Sequence, residues 1–218
     1  MVADDGSPQP PDLGDRPYRV RLVRQADDGF RAAAARNLGA AASTAPLLLF
    51  VDGDTVPEPG YVAAMAAELT APGPARLVVG RRRHADLTGW TPDRLAGWLT
   101  GAHDDAPASL AEPRWLLDAF ERTDDLRLAD ATSYRFVLSA VLGLPRALFE
   151  RVGGFEASMR HYGGEDQELA NRCWLAGADL RHCRAAVAWH DGPEFAERDH
   201  DDAHAARRDE GLQARRAW

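Results

Sequence analysis

The sequence is poor in cysteine, in long apolar runs and in any excess of basic charge. Cysteine occurs at two of 218 positions, Cys173 and Cys183. Two thiols in a chain of this length make no disulfide framework, so both are expected reduced, as in a cytoplasmic protein. No stretch approaches the ~20 apolar residues of a membrane-spanning helix. The longest apolar runs, 46–51 and 136–144, have the length of buried strands. The first residues, Met1-Val2-Ala3-Asp4-Asp5, carry neither the basic region nor the apolar core of a secretory leader. The formal net charge of −8 removes the basic footprint that DNA or RNA binding requires. An anionic ligand would need a local counter-charge, such as a metal ion. The N-terminal region also has no glycine-rich loop with a lysine for a triphosphate, which argues against a nucleotidyltransferase.

What is present suits one α/β domain. Val2-Ala3 reads as the end of a strand and Asp4 to Pro8 as a turn, with loop to Pro17 and a short strand over Tyr18–Val23. An alanine-rich helix is expected over Phe30–Ala42 and a buried strand over Leu47–Val51. Pro57-Glu58-Pro59 reads as the opening of a helix that runs to about Leu69, followed by a strand over Leu77–Gly80. Residues 84–132, with Trp90, Trp98 and Trp115, read as a helical insertion that shapes the acceptor side. A strand over Phe136–Leu144, a helix over Pro145–Val152 and a helix over Glu165–Ala176 come next. Two short strands, Leu180–Cys183 and Ala186–Trp189, close a domain spanning 1–190, and 191–218 is a charged tail. Alternating strands and helices predict a mostly parallel sheet with helices on both faces. In such sheets ligands bind beyond the carboxyl ends of the strands.

Acidic clusters fall at those ends. Asp52 and Asp54 flank one glycine directly after the Leu47–Val51 strand. Such a pair suits Mg²⁺ or Mn²⁺, which favour one or two carboxylates plus phosphate oxygens, although Asp and Gly also make ordinary turns. Glu165, Asp166 and Glu168 crowd the start of a helix. They could simply complement the helix dipole, or one of them could act as a general base at a rigid tip. His190 follows a short strand and could share a cation with Asp54. Asp4 at a strand end could accept hydrogen bonds from a base or ribose, and Arg36 could reach a ligand. Arg81-Arg82-Arg83 reads as a solvated charge run, and most tryptophans read as core.

The order of these motifs is more specific than any one of them. Asp4-Asp5-Gly6-Ser7, Ala35-Arg36-Asn37-Leu38-Gly39, Phe50-Val51-Asp52-Gly53-Asp54, Gly153-Gly154-Phe155-Glu156, Gly164-Glu165-Asp166-Gln167-Glu168-Leu169 with Arg172, and Trp189-His190 follow in that sequence. The series resembles that of the family 2 glycosyltransferases. The stretch from Gly153 to His190 is also similar to the C-terminal domain of the galactosyltransferases. The resemblance implies a GT-A fold, a nucleotide-diphosphate sugar donor, a divalent metal (Mn²⁺ or Mg²⁺), and inversion at the anomeric carbon. It implies Asp54 and His190 as metal ligands, Asp4, Arg36 and Asp52 on the donor, Asp166 as catalytic base and Glu165 holding the acceptor. The acceptor would be a glycan, a lipid or a small molecule. In the family a βα unit precedes the Asp-Asp-Gly-Ser turn, whereas here only Met1-Val2-Ala3 do, so the sheet is expected to lack its first βα unit. The alternative is a glycosyltransferase-like module that binds a nucleotide sugar or glycan without turnover.

Overall fold

Two sheets and six helices are built from residues 1–160 and 162–192, the part of the chain that the computed structural model describes. Strands β1 (Val2–Asp4) and β2 (Leu22–Arg24) pair in parallel as a small sheet of their own. The larger sheet contains β3 (Leu47–Val51), β4 (Thr55–Pro57), β5 (Arg76–Asp86), β6 (Ala108–Leu110), β7 (Val141–Pro145) and β8 (Asp179–Asp191). Its order is β3-β7-β5-β8-β4, with β6 paired to β5. The helices are α1 (Ala32–Ala41), α2 (Tyr61–Thr70), α3 (Pro92–Thr100), α4 (Arg114–Arg122), α5 (Arg146–Arg151) and α6 (Glu165–Leu175).

The larger sheet is mixed rather than mostly parallel. Strands β5 and β8 run parallel, while β7 is antiparallel to both β3 and β5, and β4 is antiparallel to β8. Alternation of strands and helices along a sequence does not encode direction. Strand β7 follows α4 and a 3₁₀ turn, Ser133–Phe136, and enters antiparallel to both of its neighbours. Helices do cover both faces. Successive residues of β7 point to opposite sides, yet Val141, Leu142 and Leu144 are all fully buried.

Three further expectations change in the structure. The apolar run 136–144 is only half strand, because the Ser139 N–H points to the Asp166 carboxylate at 3.4 Å rather than into a ladder. Pro57 ends β4 instead of opening a helix. Glu58 N–H donates to the Val187 carbonyl at 3.0 Å, and α2 starts only after Gly60. The two short strands near the end are one strand, β8, whose register against β5 jumps from Cys183 to Val187 between Gly80 and Arg81. The segment 84–132 does hold helices α3 and α4, but it begins inside β5 and includes β6. The charged tail lies outside the described residues from 193 onward.

Both cysteines are buried and unpaired, and burial pushes the Cys173 thiol up to about 12. No helix among the described residues is long and apolar enough to cross a membrane. Among these residues the small sheet shares no strand pairing with β3, the end strand of the larger one. Met1 to Ala3 and Leu47 to Val51 instead face a common cleft of about 1770 Å³.

Two polar braces position what surrounds the cleft. Asn37 on α1 bonds both backbone groups of Phe155, accepting from its N–H at 2.9 Å and donating to its carbonyl at 2.8 Å. A side chain at Gly154 would meet Asn37 Oδ1 at 2.7 Å, and φ there is +73°, so only glycine fits the turn. Arg172 on α6 grips the same turn through the Gly154 and Val152 carbonyls while pairing with Glu168. Phe155 is 2% exposed, so its backbone groups have no ready substitute partner in water. Asn37→Ala should therefore cost about 1–3 kcal/mol. A urea unfolding midpoint equal to that of the wild type would contradict this.

Candidate active site

The acidic residues that follow β3 and those that open α6 meet across the sequence through one arginine. Arg36, on the buried side of α1, donates to Asp52 Oδ1 at 2.8 Å and to Glu165 Oε1 at 2.9 Å. Its guanidinium also lies 5.5 Å from the Phe155 ring centre. Desolvation works against the charge on Arg36, but Asp52 and Glu165 outweigh it and hold the proton more firmly. Arg36 and Asp52, both expected on the donor, are thus tied to each other, and both line the cleft.

Asp54 sits beyond the end of β3 with its side chain 51% exposed, and its Oδ2 lies 3.3 Å from His190 Nε2. The approach follows from the ladder. Strand β4 pairs Thr55 with His190, and the Asp191 N–H donates to the Asp54 carbonyl at 2.9 Å. The structure therefore brings the two expected metal ligands together. Among the described residues no cluster of three or more His, Cys, Asp or Glu side chains could hold an ion. One carboxylate oxygen and one imidazole nitrogen still fit Mn²⁺ or Mg²⁺, whose remaining positions are filled by phosphate oxygens and water.

Gly163 and Gly164, at φ +87° and +105°, turn the chain into α6 through a conformation that disfavours side chains. Glu165 is 6% exposed; its Oε2 is buried and has no hydrogen-bond partner among the described residues. Asp166 accepts from the Gln167 N–H at 2.8 Å and the Ser139 N–H at 3.4 Å. Burial first, and then the neighbouring Glu165 charge, raise its pKa from 3.8 to about 7, against the opposing pull of Arg36 and the two N–H groups. A carboxyl group so tuned can exchange a proton near neutral pH. Asp52, Asp54, Glu165 and Asp166 all line the same cleft.

The N-terminal turn is arranged differently from expectation. Asp4 is 6% exposed and engaged by Ser7 and Arg24, which hold its carboxyl below the usual range. Asp5 lines the cleft instead, with its carboxylate bonded to Gln25 and to the Arg31 N–H. The arginine run is not a solvated stretch. Arg81 and Arg83 share one face of β5 and bind Glu112 at 2.8 and 3.4 Å, whereas Arg82, with opposite parity, lines the cleft. Strand parity was the signal that could have separated them. Trp90, Trp98 and Trp189 form a second apolar cluster, as the core reading expected, but Trp115 is 47% exposed on the cleft wall. His84, which the motifs did not single out, lies 5.0 Å from His190 between ring centres.

Comparison with known proteins places this geometry. The model of glycosyl transferase family 2 matches residues 1–128, more than half of the chain. The chain belongs to this family. A second family model, described as the N-terminal domain of galactosyltransferase, matches residues 130–191. Among curated members, hyaluronan synthase of Pasteurella multocida is 29% identical over 92% of this chain and 22% of its own length. Validoxylamine A glucosyltransferase of Streptomyces hygroscopicus subsp. jinggangensis is 32% identical over 83% of this chain and 44% of its own. The chain thus spans less than half the length of these relatives. A solved mannosyltransferase from Pyrobaculum calidifontis, in complex with GDP-Man and Mn²⁺, shares the fold at a TM-score of 0.52. It is 17% identical, over 88% of this chain and 44% of that one. The architecture is that of a GT-A glycosyltransferase.

The elevated pKa of Asp166 has a thermodynamic consequence. The folded chain binds this proton more tightly than the unfolded chain. The contribution of Asp166 to stability should be fully present below pH 4 and fall as pH rises to about 7. Urea unfolding at a series of pH values should show this fall, and Asp166→Asn should flatten it. Identical pH profiles for the two proteins would contradict the assignment.

Proposed function

We propose that this chain forms the catalytic domain of a metal-dependent, inverting glycosyltransferase that moves a sugar from a nucleotide-diphosphate sugar to an acceptor hydroxyl. The observation that carries the reading is the convergence on one cleft: Asp54 lies 3.3 Å from His190, and Asp166, with a pKa of about 7, shares the cleft with Asp54. The Mn²⁺ and GDP-Man of the Pyrobaculum calidifontis mannosyltransferase support a divalent ion and a nucleotide sugar here.

Asp54 and His190 would hold Mn²⁺ or Mg²⁺, and a bound ion would offset the charge that develops on the leaving diphosphate. The donor's base and ribose lie toward the Asp4-Asp5 turn, where Asp4 fixes the loop and Asp5 faces the cleft. Asp52, oriented by Arg36, points at the donor from the end of β3. The acceptor oxygen attacks the anomeric carbon from the side opposite the diphosphate. The new carbon–oxygen bond forms as the bond to the diphosphate oxygen breaks, so the configuration inverts. The acceptor proton passes to the Asp166 carboxylate. Glu165 Oε2, which has no hydrogen-bond partner among the described residues, can accept a second acceptor hydroxyl and orient it. The acceptor is a glycan, a lipid or a small molecule, and two unpaired thiols accord with a cytoplasmic location.

Asp54→Ala should abolish Mn²⁺-dependent binding of nucleotide sugar, read by calorimetry across UDP- and GDP-sugars. Asp166→Asn should keep that binding and lose transfer by about 10²–10⁴-fold. Turnover at the wild-type rate would remove Asp166 from the role of base. Donor binding without transfer or hydrolysis in the wild-type chain would favour a non-catalytic sugar-nucleotide module.

A further inference from the structure

We propose that His84 is a positioning residue that fixes His190 in the ring tautomer able to bind a cation. The inference rests on the reading of Asp54 and His190 as cation ligands. The parallel ladder of β5 and β8 sets His84 directly beside His190, and β4 sets Thr55 on the other side. The two rings are 5.0 Å apart and inclined at 53°. His84 is 1% exposed and His190 8%, so neither ring is held in place by solvent.

Both rings turn their Nδ1 to one acceptor. The Gly192 carbonyl lies 3.0 Å from His84 Nδ1 and 3.4 Å from His190 Nδ1. A carbonyl oxygen only accepts, so each Nδ1 carries the proton in that bond. In neutral His190 the lone pair is then on Nε2, the atom 3.3 Å from Asp54 Oδ2. In that tautomer both atoms offer electron pairs toward one point and can share a cation. The opposite tautomer would place a proton on Nε2, satisfy Asp54 with a neutral hydrogen bond and remove the nitrogen ligand.

His84 makes the shorter bond to the shared carbonyl. Gly192 is held to β5 from a second direction, because its N–H donates to the Ala85 carbonyl at 2.9 Å. Its φ of +83° is a conformation that favours glycine, so this carbonyl is placed by the backbone and kept there by His84. Loss of His84 frees the carbonyl to move and opens space beside the His190 ring. Groups that orient a metal-bound histidine in this way typically change metal affinity by about 10–100-fold when removed.

The test uses the full chain. In the metal-free wild type, long-range ¹H–¹⁵N correlation should show His190 as the Nδ1–H tautomer. Mn²⁺ binding is then followed by electron paramagnetic resonance in the presence of UDP. His84→Leu should mix the tautomers and weaken Mn²⁺ by about 10-fold or more. His84→Asn places an amide N–H where Nδ1 was and should restore most of the affinity. His84→Gln places it at the Nε2 position and should not. A folded His84→Leu variant with wild-type Mn²⁺ affinity and an unchanged His190 tautomer overturns the proposal. Should the leucine variant not fold, equal affinities for the Asn and Gln variants overturn it. Asp54→Ala separates the two levels: if it binds Mn²⁺ as the wild type does, the reading of Asp54 and His190 fails, whatever His84 does.

Discussion

One guanidinium holds the two halves of the cleft together. Arg36 joins Asp52, at the end of β3, to Glu165, at the start of α6 and 129 residues beyond Arg36 itself. Buried ion pairs repay their desolvation only with good geometry, and removing one partner of such a pair typically costs about 3–5 kcal/mol. Here each guanidinium nitrogen that bonds has its own carboxylate, so the cation is satisfied on both sides. The same charge lowers the pKa of Asp166 while Glu165 raises it, and burial sets the balance near 7. A single side chain thereby fixes the position of Asp52, orients Glu165 and holds down the pKa of Asp166 against burial.

Around that link the backbone does the placing. Asn37 and Arg172 pin the Gly153-Gly154-Phe155 turn between α1 and α6. Strands β4 and β8 carry Asp54 and His190 to the same point through ordinary ladder pairing. The parity of β5 sends Arg81 and Arg83 to Glu112 and Arg82 to the cleft. The cost is an open seam. Strands β1 and β3 border the cleft without a strand pairing between them among the described residues, and edges of this kind readily accept another strand.

Much of this was legible in the sequence, and for identifiable reasons. The β3 strand is a continuous apolar run bounded by turn residues, and its limits agree with the structure. Helix α6 announces itself with two glycines and a cluster of acids, and the ordered motifs name the family. The pairing of Asp54 with His190 was open on residue type alone and was implied by the resemblance, since no local pattern ties residues so far apart. Strand direction was illegible, because alternation of strand and helix is silent about reversal in β7. The apolar run before β7 misled because its hydrophobicity serves packing while its backbone N–H serves Asp166. Asp4 and Asp5 sit at one turn, and only their side-chain partners tell them apart. His84 carried no motif; its role depends on the register of β5 against β8, which is a property of the folded sheet.

The most direct test of the convergence is paramagnetic. Mn²⁺ added with UDP to the ¹³C-labelled chain broadens carboxyl and imidazole signals near the ion. Selective loss of the Asp54 and His190 signals, with strong broadening at Asp166 and Glu165, is the expected result. Broadening centred on another acidic group, such as Asp124 and Asp125, with Asp166 unaffected, would contradict a shared metal and base site.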